Sequence, residues 1–154
     1  RGLAYAEQGR SVFAGLTVAQ NIAVVERSRD ALDRACELFP ALASRREVRA
    51  GLLSGGEQQM LILARALATD PKILMVDELS LGLAPRVVAT LMETLSGLAA
   101  AGIGILLVEQ FVERALEIGT TAHLIRRGEI VRRAPCSVLL HDRASLVSPY
   151  LLGE

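Results

Sequence analysis

Two short stretches of the sequence carry residue types that can bind a phosphate and a metal ion. The first is Ser54-Gly55-Gly56-Glu57, which stands directly before an apolar run with helical character. Two glycines let backbone N–H groups approach a ligand closely, and the first turn of a helix adds unpaired N–H groups and the positive end of its dipole. With the Ser54 hydroxyl as a further donor, this pattern predicts an anion site suited to a terminal phosphate.

The second stretch is the hydrophobic segment ILMVDE, which ends on Asp77 and Glu78. Ligands of α/β folds lie at the carboxyl ends of the strands, so a carboxylate pair at that place indicates a reactive site. An acidic residue there can hold Mg²⁺, usually through water, and its neighbour can orient or deprotonate an attacking water.

Each stretch also has an ordinary structural interpretation. A serine before a helix, followed by a glutamate in the first turn, is a common N-cap. An Asp-Glu pair at the end of a strand is often a solvated turn. The combination is more specific than either part, because a complete predicted helix separates the two stretches.

The elements that must position these residues follow from the apolar patterns. Strand and helix patterns alternate, and the strand segments are continuously apolar, which predicts an α/β layer with buried parallel strands. The predicted strands are residues 2–6, 72–77 and 103–108, and the predicted helices are residues 57–69, 85–101 and 112–118. Thr17 is a predicted N-cap, and residues 28–39 form a predicted amphipathic helix that Pro40 ends. Residues 122–133 form a predicted hairpin around Arg127-Gly128, and residues 135–154 are predicted to be helical.

Composition narrows the function classes. The 154 residues are 51% apolar and 22% charged, which predicts one folded domain, soluble in its own right. The net charge is zero and aromatic residues are only 3%, so nothing indicates a nucleic-acid partner. Cys36 and Cys136 are far apart, as are His123 and His141, and we interpret all four as structural or surface residues.

Several motifs resemble those of one family. LSGGEQQ resembles the signature motif of ATP-binding cassette (ABC) ATPases, and ILMVDE resembles their Walker B strand. SLGLAP at 80–85 and VEQFVERALEI at 108–118 are similar to segments of the subgroup that imports branched-chain amino acids, and residues 2–22 are similar to its Q-loop and helical subdomain. The resemblance runs from Gly2 to the C-terminus. It implies a partial ABC ATPase (P-loop NTPase-like) fold, with a parallel sheet core, a helical subdomain, and a C-terminal β-hairpin plus helices.

The resemblance implies roles for the motif residues. The signature loop contacts the γ-phosphate of ATP held by the other subunit of a head-to-tail dimer. Here that loop would be Leu53, Ser54, Gly55, Gly56 and Glu57. Asp77 would support Mg²⁺, and Glu78 would be the catalytic base. Gln8 would be the Q-loop glutamine, which senses the metal and touches the membrane partner, and Gln110 would occupy the switch position.

The sequence also departs from the family pattern. Leu79 stands where the family usually has a proline, and Ala6-Glu7 differs from the usual residues before the Q-loop glutamine. Gln110 replaces a histidine; its amide can donate to a phosphate but cannot titrate near neutral pH. A glutamine there matches the branched-chain amino acid subgroup.

The phosphate-binding loop of the family has no counterpart in these residues. Such a loop needs Gly-Lys-Ser or Gly-Lys-Thr, and the one lysine, Lys72, follows Pro71. The absence of Met at position 1 favours a truncated cassette over a natural half-domain. Within a single truncated nucleotide-binding domain we expect a Q-loop strand and loop at 1–15, a helical subdomain at 16–52, and the signature helix, Walker B core and C-terminal part at 53–154.

The leading hypothesis is the C-terminal portion of the ATP-binding subunit of an ABC importer. It would couple hydrolysis of ATP, with Mg²⁺, to transport of branched-chain amino acids, and the fragment alone would be inactive. Its partners would be a second ABC ATPase subunit and membrane permease subunits, at the cytoplasmic face of the inner membrane. One alternative is a non-catalytic regulatory half-domain. Another is the lobe of a DNA-associated ABC-type ATPase, which would need a coiled coil before the signature, and the sequence has none.

Overall fold

The computed structural model describes residues 2–7, 9 and 11–141. These residues fall into two compact units, Arg1–Gln110 and Phe111–Glu154. The first unit carries both stretches singled out above.

The first unit is built on a three-stranded parallel sheet. Its strands are β1 (Leu3–Ala6), β2 (Ile73–Asp77) and β3 (Gly104–Val108), in the order β1-β2-β3. The register aligns Ala6 with Val76, and Asp77 with Val108, so the carboxyl ends of β2 and β3 meet at one edge. The predicted α/β class with a parallel sheet is confirmed.

One face of this sheet is buried and the other is open. Ala6, Leu74 and Val76 are buried on one face, where α4 (Gly55–Leu67) contacts β1 and α5 (Pro85–Ala100) contacts β3. Five apolar residues that alternate with these are each roughly half exposed, and they form what we call the open face. The open face consists of Leu3, Tyr5, Ile73, Leu106 and Val108.

The prediction of full burial for β2 and β3 was therefore wrong. Both strands are continuously apolar, but their side chains alternate between a face covered by helices and the open face. Within the described residues the helical layer lies on one side of the sheet.

A helical region precedes the signature stretch. It consists of α1 (Val18–Ala23), α2 (Arg29–Leu38), α3 (Pro40–Ala43) and a 3₁₀ turn at Ala50–Leu52. Thr17 caps α1 as predicted: its side chain accepts from the N–H of Gln20, whose own side chain bonds back to Thr17. Pro40 follows the end of α2, as predicted, and occupies the first turn of α3, where a proline needs no N–H partner.

A buried amide organises the chain before α1. Asn21 has no exposed surface, and its Nδ2 donates to the carbonyls of Phe13, Leu16 and Thr17. Its Oδ1 accepts the N–H of Phe13 at 2.9 Å. This one side chain therefore contacts four backbone groups ahead of α1, with two amide hydrogens shared among three carbonyls.

The second unit contains α6 (Val112–Ile118), the antiparallel hairpin β4 (Thr121–Arg126) and β5 (Glu129–Pro135), and α7 (Cys136–His141). The turn at Arg127-Gly128 has φ values of 49° and 84°, which suits a two-residue hairpin turn and confirms the prediction. α7 provides the helix expected after residue 135, and residues 142–154 lie outside the described part.

The other residues noted in the sequence have structural surroundings. Cys36 and Cys136 are buried free thiols, and Cys136 belongs to the core of the second unit with Leu116, Leu124 and Leu139. His123 lies in β4 and His141 ends α7. Among the described residues, no helix combines the length and apolar character needed to cross a bilayer.

Candidate functional site

The signature stretch begins helix α4 with a reciprocal capping arrangement. Ser54 Oγ accepts a hydrogen bond from the N–H of Glu57 at 3.3 Å, and Glu57 Oε2 accepts one from the N–H of Ser54 at 2.8 Å. The ordinary interpretation of this stretch as a helix cap is thus geometrically satisfied. It does not compete with anion binding, because Ser54 is exposed and its hydroxyl proton can still be donated while its oxygen accepts.

The five signature residues differ in their exposure. Leu53 and Gly56 are buried, Gly55 and Glu57 are half-buried, and Ser54 is exposed. A Cβ at Gly56 would lie 2.7 Å from Val87 Cγ1, so a glycine is needed there for the close approach of α5. The role expected for Gly56 in close approach to a ligand stays a prediction, and packing alone accounts for that residue.

The carboxylate of Glu57 is held ionised at the head of α4. Burial raises the pKa of Glu57, but hydrogen bonds from Ser54 and the guanidinium of Arg45 outweigh it, so the pKa lies below its ordinary value. Arg45 Nε is 3.3 Å from Glu57 Oε1. The positive end of the helix dipole favours the same negative charge.

Asp77 ends β2 beside a tyrosine that the sequence reading did not select. Tyr5 Oη donates to Asp77 Oδ2 at 3.2 Å, from the neighbouring strand β1. Desolvation raises the pKa of Tyr5, and the hydrogen bond to Asp77 and the negative charges of Asp77 and Glu7 add to the effect. The phenol therefore stays protonated and a donor to this carboxylate at neutral pH.

Glu78 and Gln110 lie in contact where β2 and β3 end. Gln110 Nε2 donates a hydrogen bond to Glu78 Oε1, and the N–H of Glu78 donates to the carbonyl of Val108 at 2.9 Å. Glu78 has a φ of 47°, in the left-handed region that side chains other than glycine rarely occupy. Such a conformation costs about 1–3 kcal/mol and persists only where the surroundings enforce it.

A buried contact links the signature helix to the residues after β2. Gln59, in the second turn of α4, donates from Nε2 to the carbonyl of Leu79 at 3.3 Å. Both residues are buried. The helix that starts at the signature stretch and the strand that ends in the carboxylate pair are thus joined within one unit.

Two further contacts were missed by the sequence reading. Arg65, near the end of α4, donates from Nη1 to the carbonyl of Ser11 at 2.7 Å and lies 4.6 Å from the centre of the Phe13 ring. Burial lowers the pKa of Arg65, partly opposed by the charge of Glu7. The second contact is between the carboxylate of Glu109 and Ser80. Gln8, the expected Q-loop residue, lies outside the described residues.

The donor set at the carboxyl end of β2 fits a weakly ligated magnesium ion. The described residues contain no cluster of three or more His, Cys, Asp or Glu side chains that could enclose a metal. Mg²⁺ does not need such a cluster, since it commonly binds through one or two carboxylates together with water and phosphate oxygens. Asp77 supplies one carboxylate of this kind, and its oxygen already has an ordered donor in Tyr5.

Comparison with known proteins finds relatives along most of the chain. The model of the ABC transporter family matches residues 1–80. The chain is 40% identical over 146 residues to the high-affinity branched-chain amino acid transport ATP-binding protein BraG of Pseudomonas aeruginosa, covering 91% of this chain and 63% of BraG. It is 31% identical over 162 residues to the lipopolysaccharide export system ATP-binding protein LptB of Escherichia coli K12, covering all of this chain and 66% of LptB. The chain thus spans less than two thirds of these relatives.

Solved structures share the fold. A nucleotide-free ATP-binding cassette from an ABC transporter superposes with a TM-score of 0.82 at 21% identity, covering 99% of this chain and 69% of that one. The dimeric post-hydrolysis state of the cassette MJ0796 bound to ADP and Pi superposes with a TM-score of 0.77 at 20% identity, covering 87% of this chain and 62% of that one. By family match and by fold, the chain belongs to the ABC transporter family and has the α/β architecture of its ATP-binding cassettes.

Proposed function

We propose that the chain is the C-terminal portion of the ATP-binding subunit of an ABC importer, and that it carries the hydrolytic carboxylates of that subunit. The hydrogen bond from Gln110 to Glu78, at the edge where β2 ends in Asp77, is the observation that carries the proposal. It joins Gln110 to Glu78, the chain neighbour of Asp77, at the carboxyl end of a parallel sheet, where α/β folds bind ligands.

Each residue has a task that its chemistry allows. Glu78 orients and deprotonates the attacking water, because a carboxylate within hydrogen-bond reach can accept its proton. Gln110 holds the carboxylate of Glu78 and can donate its second amide hydrogen to a phosphate oxygen. Asp77 holds the metal side of the site. Bound Mg²⁺ would neutralise charge on the phosphates during transfer.

The signature stretch serves a different nucleotide. The exposed hydroxyl of Ser54 and the half-buried Gly55 at the start of α4 offer donors and a positive dipole end to a phosphate presented from outside this chain. We propose that this phosphate belongs to ATP held by a second cassette in a head-to-tail dimer, an arrangement supported by the dimeric state of MJ0796. ATP and Mg²⁺ are thus the proposed substrate and cofactor, with Gln8 as a further metal-sensing residue.

The proposed cargo is a branched-chain amino acid. Support comes from BraG, which is named for that transport and is 40% identical, whereas LptB, named for lipopolysaccharide export, is 31% identical. The partners would be permease subunits, which place the protein at the cytoplasmic face of the inner membrane. We also keep the division into residues 1–15, 16–52 and 53–154 as a proposal.

A regulatory half-domain is the second candidate. It rests on the exposure of Ser54 at the head of α4, which a module of this kind could present to another cassette. Such a module would present the signature stretch to a partner cassette without hydrolysing ATP at its own carboxylates.

Substitution of the proposed base tests the two functions. In a complete subunit that contains this chain, we expect Glu78→Gln to lower the ATP turnover rate about 100-fold or more and to leave ATP binding intact. Glu93→Gln, an exposed carboxylate on α5, is the matched control and should leave turnover unchanged. Equal turnover by Glu78→Gln and the parent would refute the role of Glu78 and favour the regulatory module.

A further inference from the structure

Glu109 makes a two-point contact with a single buried residue. Its Oε1 accepts the backbone N–H of Ser80 at 3.0 Å, and its Oε2 accepts the Ser80 hydroxyl at 2.6 Å. Ser80 is only 4% exposed. Hydrogen bonds to an ionised carboxylate are short and strong, and two of them fix both the distance and the orientation of the segment they hold.

This contact is one of three made by consecutive residues at the end of β3. The carbonyl of Val108 accepts the N–H of Glu78, the side chain of Glu109 holds Ser80, and the side chain of Gln110 donates to the carboxylate of Glu78. The residues at the end of β3 therefore hydrogen-bond to both Glu78 and Ser80, the first and last residues of the segment 78–80.

The segment 78–80 includes Glu78, whose backbone lies in the left-handed region. A glutamate keeps a φ of 47° only where neighbouring contacts enforce it. The carbonyl of Leu79, between these two residues, accepts a hydrogen bond from Gln59 of α4. If Ser80 were released, the backbone of Glu78 would lose one of its two anchors on the C-terminal side and could relax toward ordinary φ values.

We infer that Glu109 is a positioning residue for Glu78, acting through Ser80. This inference rests on the proposed hydrolytic function of Glu78. Both carboxylate oxygens of Glu109 accept hydrogen bonds from Ser80, so the carboxylate is fixed in place against that residue. The direction in which the carboxylate of Glu78 points is thus set by the end of the neighbouring strand as well as by its own.

Steady-state kinetics of the complete subunit test this role. Glu109→Ala should lower kcat for ATP about 10- to 100-fold with little change in KM, because a misplaced group damages the reaction step and leaves nucleotide binding intact. Glu109→Gln should recover most of the lost rate. Its amide oxygen still accepts the N–H of Ser80, and the Ser80 hydroxyl can turn to accept from the amide nitrogen.

A double mutant separates positioning through Ser80 from other effects. Ser80→Ala should lower kcat less than Glu109→Ala does, and adding it to Glu109→Ala should cause no further loss, because the two residues act as one unit. A parent-like kcat for Glu109→Ala, a Glu109→Gln rate as low as that of Glu109→Ala, or additive losses in the double mutant would each overturn the inference.

Hydrogen–deuterium exchange tests the contact without relying on activity. In Glu109→Ala the amides of residues 78–84 should exchange at least about tenfold faster, with α4 unchanged, and Glu93→Ala should show neither effect. If the parent subunit hydrolyses no ATP, the proposed function fails. The exchange result would still show whether Glu109 holds residues 78–84 in place. If residues 78–84 exchange equally in Glu109→Ala and the parent, the inference fails whatever the activity.

Discussion

At the scale of single residues, the second glycine of the signature stretch has a packing role that its motif does not reveal. Gly56 is buried in the first turn of α4, where the side chain of Val87 from α5 occupies the space a Cβ would need. The head of α4 is therefore located by contact with α5.

Alanine at this position should destabilise the protein through overpacking. We expect Gly56→Ala to lower the free energy of unfolding by about 1–3 kcal/mol, since the new methyl group would lie 2.7 Å from Val87 Cγ1. Urea unfolding measures the change. Gly97→Ala is the control, because a Cβ at this helical glycine meets nothing within 4 Å, and it should gain about 0.5–1 kcal/mol.

The second variant needed is Val87→Ala combined with Gly56→Ala. Removing the methyl groups of Val87 makes room for the new Cβ, so the double mutant should be less destabilised than the sum of the two single changes. Additive losses would mean that the cost of Gly56→Ala arises somewhere other than this contact.

At the scale of elements, the beginning of α4 combines a structural cap with a candidate anion site. Glu57 bonds to the N–H of Ser54 and pairs with Arg45, so the carboxylate fastens the helix start to the region that precedes it. The exposed hydroxyl of Ser54 is thereby presented on a fixed helix end.

The charge of Glu57 should make a pH-dependent contribution to stability. Because the pKa of Glu57 is lowered on folding, its stabilisation is complete above the ordinary glutamate value of about 4.3 and disappears as the pH falls through the lower folded value. Glu57→Gln keeps a side chain able to complete the cap but removes the charge. We expect it to lower the free energy of unfolding by about 0.5–1 kcal/mol at pH 7.

The measurement is urea unfolding of both proteins between pH 7 and pH 3. The gap between parent and Glu57→Gln should narrow below about pH 4. Glu93→Gln, an exposed carboxylate within α5, should show no such gap at any pH. A gap for Glu57→Gln that stays constant down to pH 3 would show that the charge is not its source.

Most elements could be predicted because local chemistry determined them. The bounds of α6 agree with the prediction, and the hairpin turn follows from an Arg-Gly pair between apolar segments. Glu109 could not be found in this way, since a glutamate after an apolar strand has the same local pattern whether it is solvated or, as here, bound to Ser80. Likewise, the pairing of Tyr5 with Asp77 depends on strand order, which no single segment encodes.

At the scale of the whole molecule, the open face of the sheet is an exposed apolar surface. The apolar pattern of β3 predicted full burial, yet Leu106 and Val108 are each more than half exposed. The continuous apolar pattern indicates that other residues cover this surface, but it does not identify those residues. Since the chain spans 63% of BraG, we propose that a further layer of the complete cassette covers the open face.

A charge placed on the open face should have opposite effects in two contexts. Alone, the chain should self-associate through this face, because contiguous exposed apolar surface promotes association. Leu106→Lys should shift it toward the monomer in sedimentation velocity. Ile130→Lys in β5, a residue of similar exposure outside the open face, is the control and should not.

In the complete subunit the same substitution should destabilise. A lysine buried without a partner costs several kcal/mol, so Leu106→Lys should lower the unfolding midpoint sharply while Ile130→Lys changes it little. A covering layer predicts both outcomes together: Leu106→Lys reduces association of the chain alone and destabilises the complete subunit. Self-association by itself would not explain the loss of stability, and a general intolerance of charge at position 106 would not explain the shift to monomer. A chain that is monomeric by itself at about 100 μM, or a complete subunit indifferent to Leu106→Lys, would contradict the covering layer.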